Sequence, residues 1–210
     1  MSKQKLITVR GKLTPTVDNP YWNISPVVGA FIHGLVVDLN LKTVLEVGTS
    51  NGYSGLWIVD ALMQTGGHLY TVESHRERFE LASRHFADAE VADFVTQIRG
   101  HAPEVFETFP NRPDQVDLAF FDATKFEYGA YLKAIVPLLA EDGIILADNV
   151  RSHYQEMTNF ISEAEKLKAE YQILYSPDLG TGMVIITRRS QPLTGLLSSL
   201  SQTNWRQLID

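Results

Sequence analysis

Four side chains with ligand or proton-transfer chemistry lie in two short stretches. "FFDATKFEY" (120–128) carries Asp122 and Lys125, and "GIILADNV" (143–150) carries Asp148 and Asn149. In each stretch a run of apolar residues, the pattern of a buried strand, ends abruptly in an acid. Adjacent parallel strands lie about 4.8 Å apart. If these two strands are neighbours, Asp122, Asp148 and the Asn149 amide converge on one point. Two carboxylates and an amide oxygen are hard ligands that suit an octahedral cation such as Mg²⁺, with positions left for water and substrate. Without a cation, two carboxylates so close would repel each other and raise a pKa. The alternative, solvated turn acids, does not explain three ligand-type groups at two successive strand exits. Lys125 is placed to accept a proton there, against the plainer reading of a surface charge at a helix start, a poor place for a cation.

Two further strand exits carry a different pattern. "EVGTSNGYSG" (46–55) follows a β-branched run and has Gly48, Gly52 and Gly55 in G-x-x-x-G-x-x-G spacing, not the dinucleotide G-x-G-x-x-G. Glycines in such a turn let backbone approach a ligand and start a helix. The next strand ends at Glu73, 25 residues after Gly48, and a carboxylate at that place can accept both hydroxyl protons of a ribose. Turn and acid together point to an adenosine ligand across the first two exits. Taken singly, they are a tight strand-to-helix turn and a helix N-terminal charge.

Elements that would position these groups alternate along the chain. Strands are expected at 43–48, 68–73, 94–100, 115–123 and 143–149. Helices are expected at 23–41, 53–65, 76–88, 103–109, 127–141 (with Pro137 kinking it) and 154–170. "YQILYSP" and "GMVIITRR" close the pattern as an antiparallel hairpin around "DLGTG". Continuous apolar strands alternating with helices mean an α/β fold: a mostly parallel, Rossmann-like sheet, seven-stranded with the hairpin, covered on both faces. In such sheets ligands bind beyond the carboxyl ends of the strands, where all the singled-out residues fall. One domain is expected over 1–189, with an N-terminal arm at 1–22. A tail at 190–210 either packs on a partner subunit or frays.

Composition narrows the classes. The 210 residues have 18 basic and 25 acidic side chains, a net charge of −7, which disfavours a nucleic-acid partner. With no cysteine, disulfide, thiol and zinc–thiolate chemistry are excluded. His33, His68, His75, His85, His101 and His153 show no metal-ligand spacing. No apolar run is long enough to span a bilayer and no secretory leader is visible, so no membrane contact and a cytoplasmic location are expected.

Taken together, "VLEVGTSNGYSGLWI", "LYTVES", "IRGHAPEVF", "VDLAFFDATKFEYGAYL" and "GIILADNV" resemble the class I S-adenosylmethionine-dependent O-methyltransferases. The similarity is to the cation-dependent catechol and caffeoyl-coenzyme-A branch and covers about residues 20–188. The resemblance implies that Glu46, Gly48, Thr49 and Ser54 line the methionine part of the cofactor and that Glu73 holds its ribose. It also implies that Ala102 lies by the adenine, that Ile24 touches the cofactor from a helix start, and that Asp122 contacts the cofactor as well as the cation. By the same resemblance Asp122, Asp148 and Asn149 are the metal ligands, Lys125 is the general base, and His153 lies near the acceptor. Thr124 stands where plant relatives have an acid that helps hold the cofactor. The implied activity is methyl transfer to a hydroxyl of a small vicinal-diol aromatic, by a homodimer. Two alternatives remain: a methyltransferase acting on a hydroxyl of a transfer-RNA base, and a non-catalytic adenosine-ligand binding protein.

Overall fold

A computed structural model describes residues 3–16, 21–108 and 112–188. These fall into two compact units divided between Arg112 and Pro113. In chain order the first unit contains α1 (Lys3–Leu13), α2 (Pro26–Asp38), β1 (Thr43–Val47), α3 (Tyr53–Thr65), β2 (His68–Glu73), α4 (Arg76–Asp88) and β3 (Val95–Arg99). The second contains β4 (Val116–Phe121), α5 (Tyr128–Ile135), β5 (Leu139–Ala147), α6 (Thr158–Lys166), β6 (Gln172–Ser176) and β7 (Met183–Thr187). Strand order is β3-β2-β1-β4-β5-β7-β6, a mixed seven-stranded sheet in an α/β fold. β1 pairs in parallel with β2, β2 with β3, and β4 with β5, whereas β7 runs antiparallel to both β5 and β6. No helix among the described residues is long and apolar enough to cross a membrane.

Local chemistry sets the boundaries. α3 lies between two left-handed glycines, Gly52 (φ 85°) and Gly66 (φ 73°), and the Gly66 N–H closes the helix on the Leu62 carbonyl. α2 starts at Ser25, whose hydroxyl accepts from the Val28 N–H, with Pro26 as the first helical residue.

The second unit departs from the periodicity at two places. The helix expected over 127–141 stops at Ile135, and a 3₁₀ turn, Val136–Leu138, leads straight into β5 at Leu139. Pro137 ends the helix instead of kinking it, because it lacks an N–H and its ring crowds the preceding turn. β5 therefore begins before Gly143. Its register against β4 jumps from Val116↔Leu139 to Leu118↔Ile144, which lets Glu141 and Asp142 bulge into solvent. The helix expected over 154–170 is confined to α6. Main-chain bonds tie the segment before it to the β6–β7 loop: Val150 N to Gly182 O, 2.9 Å, and Arg151 N to Thr181 O, 3.1 Å.

Within the N-terminal arm, α1 docks on α3. Leu6 is fully buried, the Arg10 guanidinium lies 3.8 Å from the Trp57 ring centroid, and it pairs with the buried Asp60 carboxylate at 2.8 Å. Lys3 adds a second cation to Asp60 at 3.5 Å. The same Trp57 ring sets how closely α2 approaches α3, because a Cβ on Gly29 would lie 2.5 Å from ring atoms. Gly29→Ala should therefore lower stability by about 1–3 kcal/mol, the usual cost of overpacking, although alanine is the better helix former. Urea unfolding with an unchanged midpoint would show that Trp57 can move aside freely. The tail at 190–210 lies outside the described residues, as do 1–2, 17–20, 109–111 and 189.

Candidate active site

In the first unit the polar groups gather where β1 and β2 end. The turn after β1 needs unusual backbone: Gly48 has φ 107°, Ser50 φ 50° and Gly52 φ 85°. The Gly48 and Thr49 N–H groups both donate to Val72 O (3.0 and 3.1 Å), which holds the turn against the end of β2. Glu73, the last residue of β2, is buried and binds both flanking turns. Its Oε2 accepts from Ser50 N and its Oε1 from His75 N, each at 2.8 Å. Each oxygen keeps a lone pair for a further donor.

Glu46 is fully buried in β1. The Ser54 hydroxyl donates to one of its oxygens, and Thr71 Oγ1 to the other at 2.6 Å. Thr71 stands opposite Glu46 in the β1–β2 register and also bonds the Thr49 hydroxyl. Sequence reasoning missed Thr71. Its signal was a hydroxyl inside the otherwise apolar end of "HLYTVE".

The remaining expected cofactor residues of this unit are buried. Ile24 immediately precedes the Ser25 cap, and the chain just before it reaches the turn through Ser50 Oγ to Tyr21 O, 3.3 Å. Ala102 follows β3, whose exit is held to that of β2 by Gly100 N to Glu73 O, 3.1 Å. Gly55 has another task than approach to a ligand. A Cβ there would lie 2.8 Å from Phe86 Cζ, so this glycine lets α3 pack on α4.

In the second unit β4 and β5 pair with Phe121 beside Ala147, so Asp122 and Asp148 are the next residues out of two adjacent strands. The Asp148 N–H donates to Phe121 O at 3.1 Å. Asp148 is 3% exposed. Burial pushes its carboxyl up to about 7, and the Asp122 charge pushes the same way; the Asn149 N–H, Lys125 and the Thr181 backbone oppose the rise. Lys125 has a side chain only 14% exposed, so it is not a surface lysine; its Nζ donates to Asp122 Oδ1 at 2.9 Å and to the Tyr128 hydroxyl at 3.1 Å. Tyr128 is fully buried and donates in turn to Phe121 O at 2.9 Å. Asn149 adopts φ 67°, its N–H donates to Asp148 Oδ1 at 2.6 Å, and its Nδ2 donates to Thr181 Oγ1 at 2.7 Å.

This donor set fits a divalent cation. A carboxyl pushed up to about 7 first by burial and then by a neighbouring carboxylate marks a place short of positive charge, and the available atoms are hard oxygens. Among the described residues no group of three His, Cys, Asp or Glu side chains could hold a metal. The candidate set is therefore the two acids with the Asn149 amide oxygen. His153 bonds Ser152 Oγ at 2.8 Å in the loop beyond Asn149. Among the aromatic side chains, Trp22 of the first unit is 77% exposed, and in the second unit Tyr154 and Phe126 are exposed as well.

Element order and polar strand exits define an α/β protein with its ligand groups at the carboxyl ends of parallel strands. A family model described as "Methyltransferase domain" matches residues 45–150, which is 106 of the 210 residues, and the chain belongs to that family. "Probable O-methyltransferase Rv1220c" of Mycobacterium tuberculosis is 35% identical over 124 residues, covering 59% of this chain and 54% of that protein. The chain thus spans about half the length of the curated relatives it matches. Two solved structures share the fold. The O-methyltransferase from Bacillus cereus in complex with SAH has a TM-score of 0.72 at 22% identity, covering 89% of this chain and 90% of that one. SAH-bound Podospora anserina methyltransferase PaMTH1 has a TM-score of 0.74 at 23% identity, covering 90% and 89%.

Proposed function

We propose that this chain transfers the methyl group of S-adenosylmethionine to a hydroxyl oxygen of a small aromatic acceptor with two adjacent hydroxyls. A divalent cation, Mg²⁺ by the hardness of its ligands, would be held by Asp122, Asp148 and Asn149. The observation that carries the reading is the buried Asp148 beside Asp122, with Asn149 and Lys125 on the same pair of strand exits. Membership of the methyltransferase family supports the cofactor, and the names of its relatives and structural neighbours support oxygen as the acceptor atom. The net charge of −7 favours a small acceptor over a nucleic acid.

When bound, the cation supplies positive charge that favours the ionised acceptor hydroxyl and fixes the geometry of the pair. The protein side chains do the rest. Glu73 accepts the ribose hydroxyls while holding the β1 turn through Ser50. Glu46, Ser54, Thr49 and Thr71 form a buried polar set for the methionine end. Lys125 Nζ, steadied by Tyr128, first gives up a proton to solvent and then, as the neutral amine, takes the acceptor proton. The acceptor oxygen then forms a bond to the methyl carbon as the carbon–sulfur bond breaks, and the electron pair stays on sulfur.

A methyl-transfer screen over vicinal-diol aromatics, with and without Mg²⁺, tests the reading. Equal rates in Mg²⁺ and in excess chelator would sink the cation, and transfer only to monohydroxy compounds would sink the acceptor class. Glu73→Ala should weaken both S-adenosylmethionine and its demethylated product about tenfold or more, because a charge-assisted hydrogen bond contributes about 1.5–3 kcal/mol. Unchanged affinity in calorimetry would leave Glu73 as a brace for the β1 turn alone.

A further inference from the structure

We infer that Thr181 is a positioning residue that orients the Asn149 amide as a cation ligand, an inference that rests on the reading of Asp122, Asp148 and Asn149 as the cation site. The two ends of a carboxamide have nearly the same shape and opposite polarity. Only Oδ1 can ligate a cation, so an asparagine ligand needs something to hold its nitrogen elsewhere. Here Asn149 Nδ2 donates to Thr181 Oγ1 at 2.7 Å, which turns Oδ1 away from Thr181 and leaves it for the cation. Ser152 Oγ lies 3.1 Å from Thr181 Oγ1 and ties the hydroxyl to the chain just after Asn149.

Thr181 is held firmly enough for this task. It belongs to the loop between β6 and β7, while Asn149 follows β5. Three main-chain bonds join the two segments: Val150 N to Gly182 O (2.9 Å), Arg151 N to Thr181 O (3.1 Å) and Ser152 N to Thr181 O (3.2 Å). Gly182 makes this approach feasible. It has φ 100°, and a Cβ there would lie 2.7 Å from Arg151 N. One residue of a separate loop thus holds both the Asn149 side chain and the main chain just beyond it. Asn149 itself sits at φ 67° and depends on such contacts to keep its place.

The test is binding of Mn²⁺ to the full chain at fixed pH, read as loss of the free-ion electron paramagnetic resonance signal, with SAH affinity by calorimetry as the control for folding. Thr181→Val, nearly isosteric but without the hydroxyl, should weaken Mn²⁺ about 10- to 100-fold, as loss of a partner that orients a ligand does. Thr181→Ser should restore near wild-type affinity, and neither change should alter SAH binding. Asn149→Asp gives a second reading, because a carboxylate has oxygen at both ends and needs no orienting. In that background Thr181→Val should hardly change Mn²⁺ affinity. Wild-type Mn²⁺ binding in Thr181→Val, or a loss of the same size whether or not Asn149→Asp is also present, overturns the inference. Asp148→Ala separates this from failure of the cation site. If Asp148→Ala loses Mn²⁺ and Thr181→Val does not, only the role of Thr181 falls. If Asp148→Ala binds as wild type does, the cation site falls and takes the role of Thr181 with it.

Discussion

Asp148→Ala should abolish tight divalent-cation binding and lower methyl transfer by roughly 10³-fold or more, because charge stabilisation by a bound cation is worth several kcal/mol at the reacting oxygen. The same substitution should make the cation-free protein more stable above neutral pH. The sign follows from linkage. Burial and Asp122 raise the Asp148 carboxyl from 3.8 to about 7. Between those values the folded protein holds a proton that the unfolded chain has lost, so stability is greatest at the acid end and falls as pH rises through about 7. The loss amounts to a few kcal/mol at most. Chelator-treated wild-type protein should therefore melt lower at about pH 8 than at about pH 5, the reverse of the trend for salt-bridged carboxylates. Mg²⁺ should restore the melting temperature at the higher pH. Asp148→Ala should remove both the pH slope near neutrality and the Mg²⁺ effect. Wild-type turnover in Asp148→Ala, or a melting temperature in chelator that rises through neutrality, would refute this account.

The strand exits were the legible part of this sequence. A buried parallel strand is apolar along most of its length, so an acid at its exit stands out; Glu73, Asp122 and Asp148 each stand at such a break, whereas Glu46, inside β1, is held by the Ser54 and Thr71 hydroxyls. The bounds of α3 were legible for a similar local reason, since Gly52 and Gly66 take backbone conformations that other residues avoid. What periodicity could not supply was any contact made by polar atoms between distant segments. α1 buries Leu6 but docks chiefly through Arg10 on Trp57 and Asp60, a charged contact without an apolar stripe. The role of Gly55 was hidden because a glycine serving a neighbouring helix and one serving a ligand look alike in sequence. Thr181 lies in "DLGTG", a loop without helical or strand period, and its importance comes from hydrogen bonds to residues about thirty positions away. Lys125 was singled out in the sequence by its place three residues after Asp122; what the sequence did not supply was Tyr128, which with Asp122 holds it in a largely buried position.

That placement gives Lys125 the second large effect. If Nζ accepts the acceptor hydroxyl proton, Lys125→Met should reduce turnover about 10²- to 10⁴-fold, the usual contribution of a positioned acid–base group. SAH affinity should not change. Cation affinity should hold or improve, because Asp122 Oδ1 would lose its ammonium partner at 2.9 Å and the site would become more negative. This excludes loss of the cation as the cause of low turnover. The discriminating measurement is the ratio of wild-type to variant rate across the pH range. A base is needed only while the acceptor hydroxyl keeps its proton, so the ratio should shrink as pH rises and the acceptor ionises unaided. A lysine that only orients the acceptor would give a loss that persists at high pH. A lysine that serves only to brace Asp122 and Tyr128 would show its effect in cation binding or melting temperature instead. A ratio that stays flat from about pH 6 to about pH 9.5, with cation binding intact, would rule out proton transfer by Lys125 and leave it a charge that holds the acceptor in place.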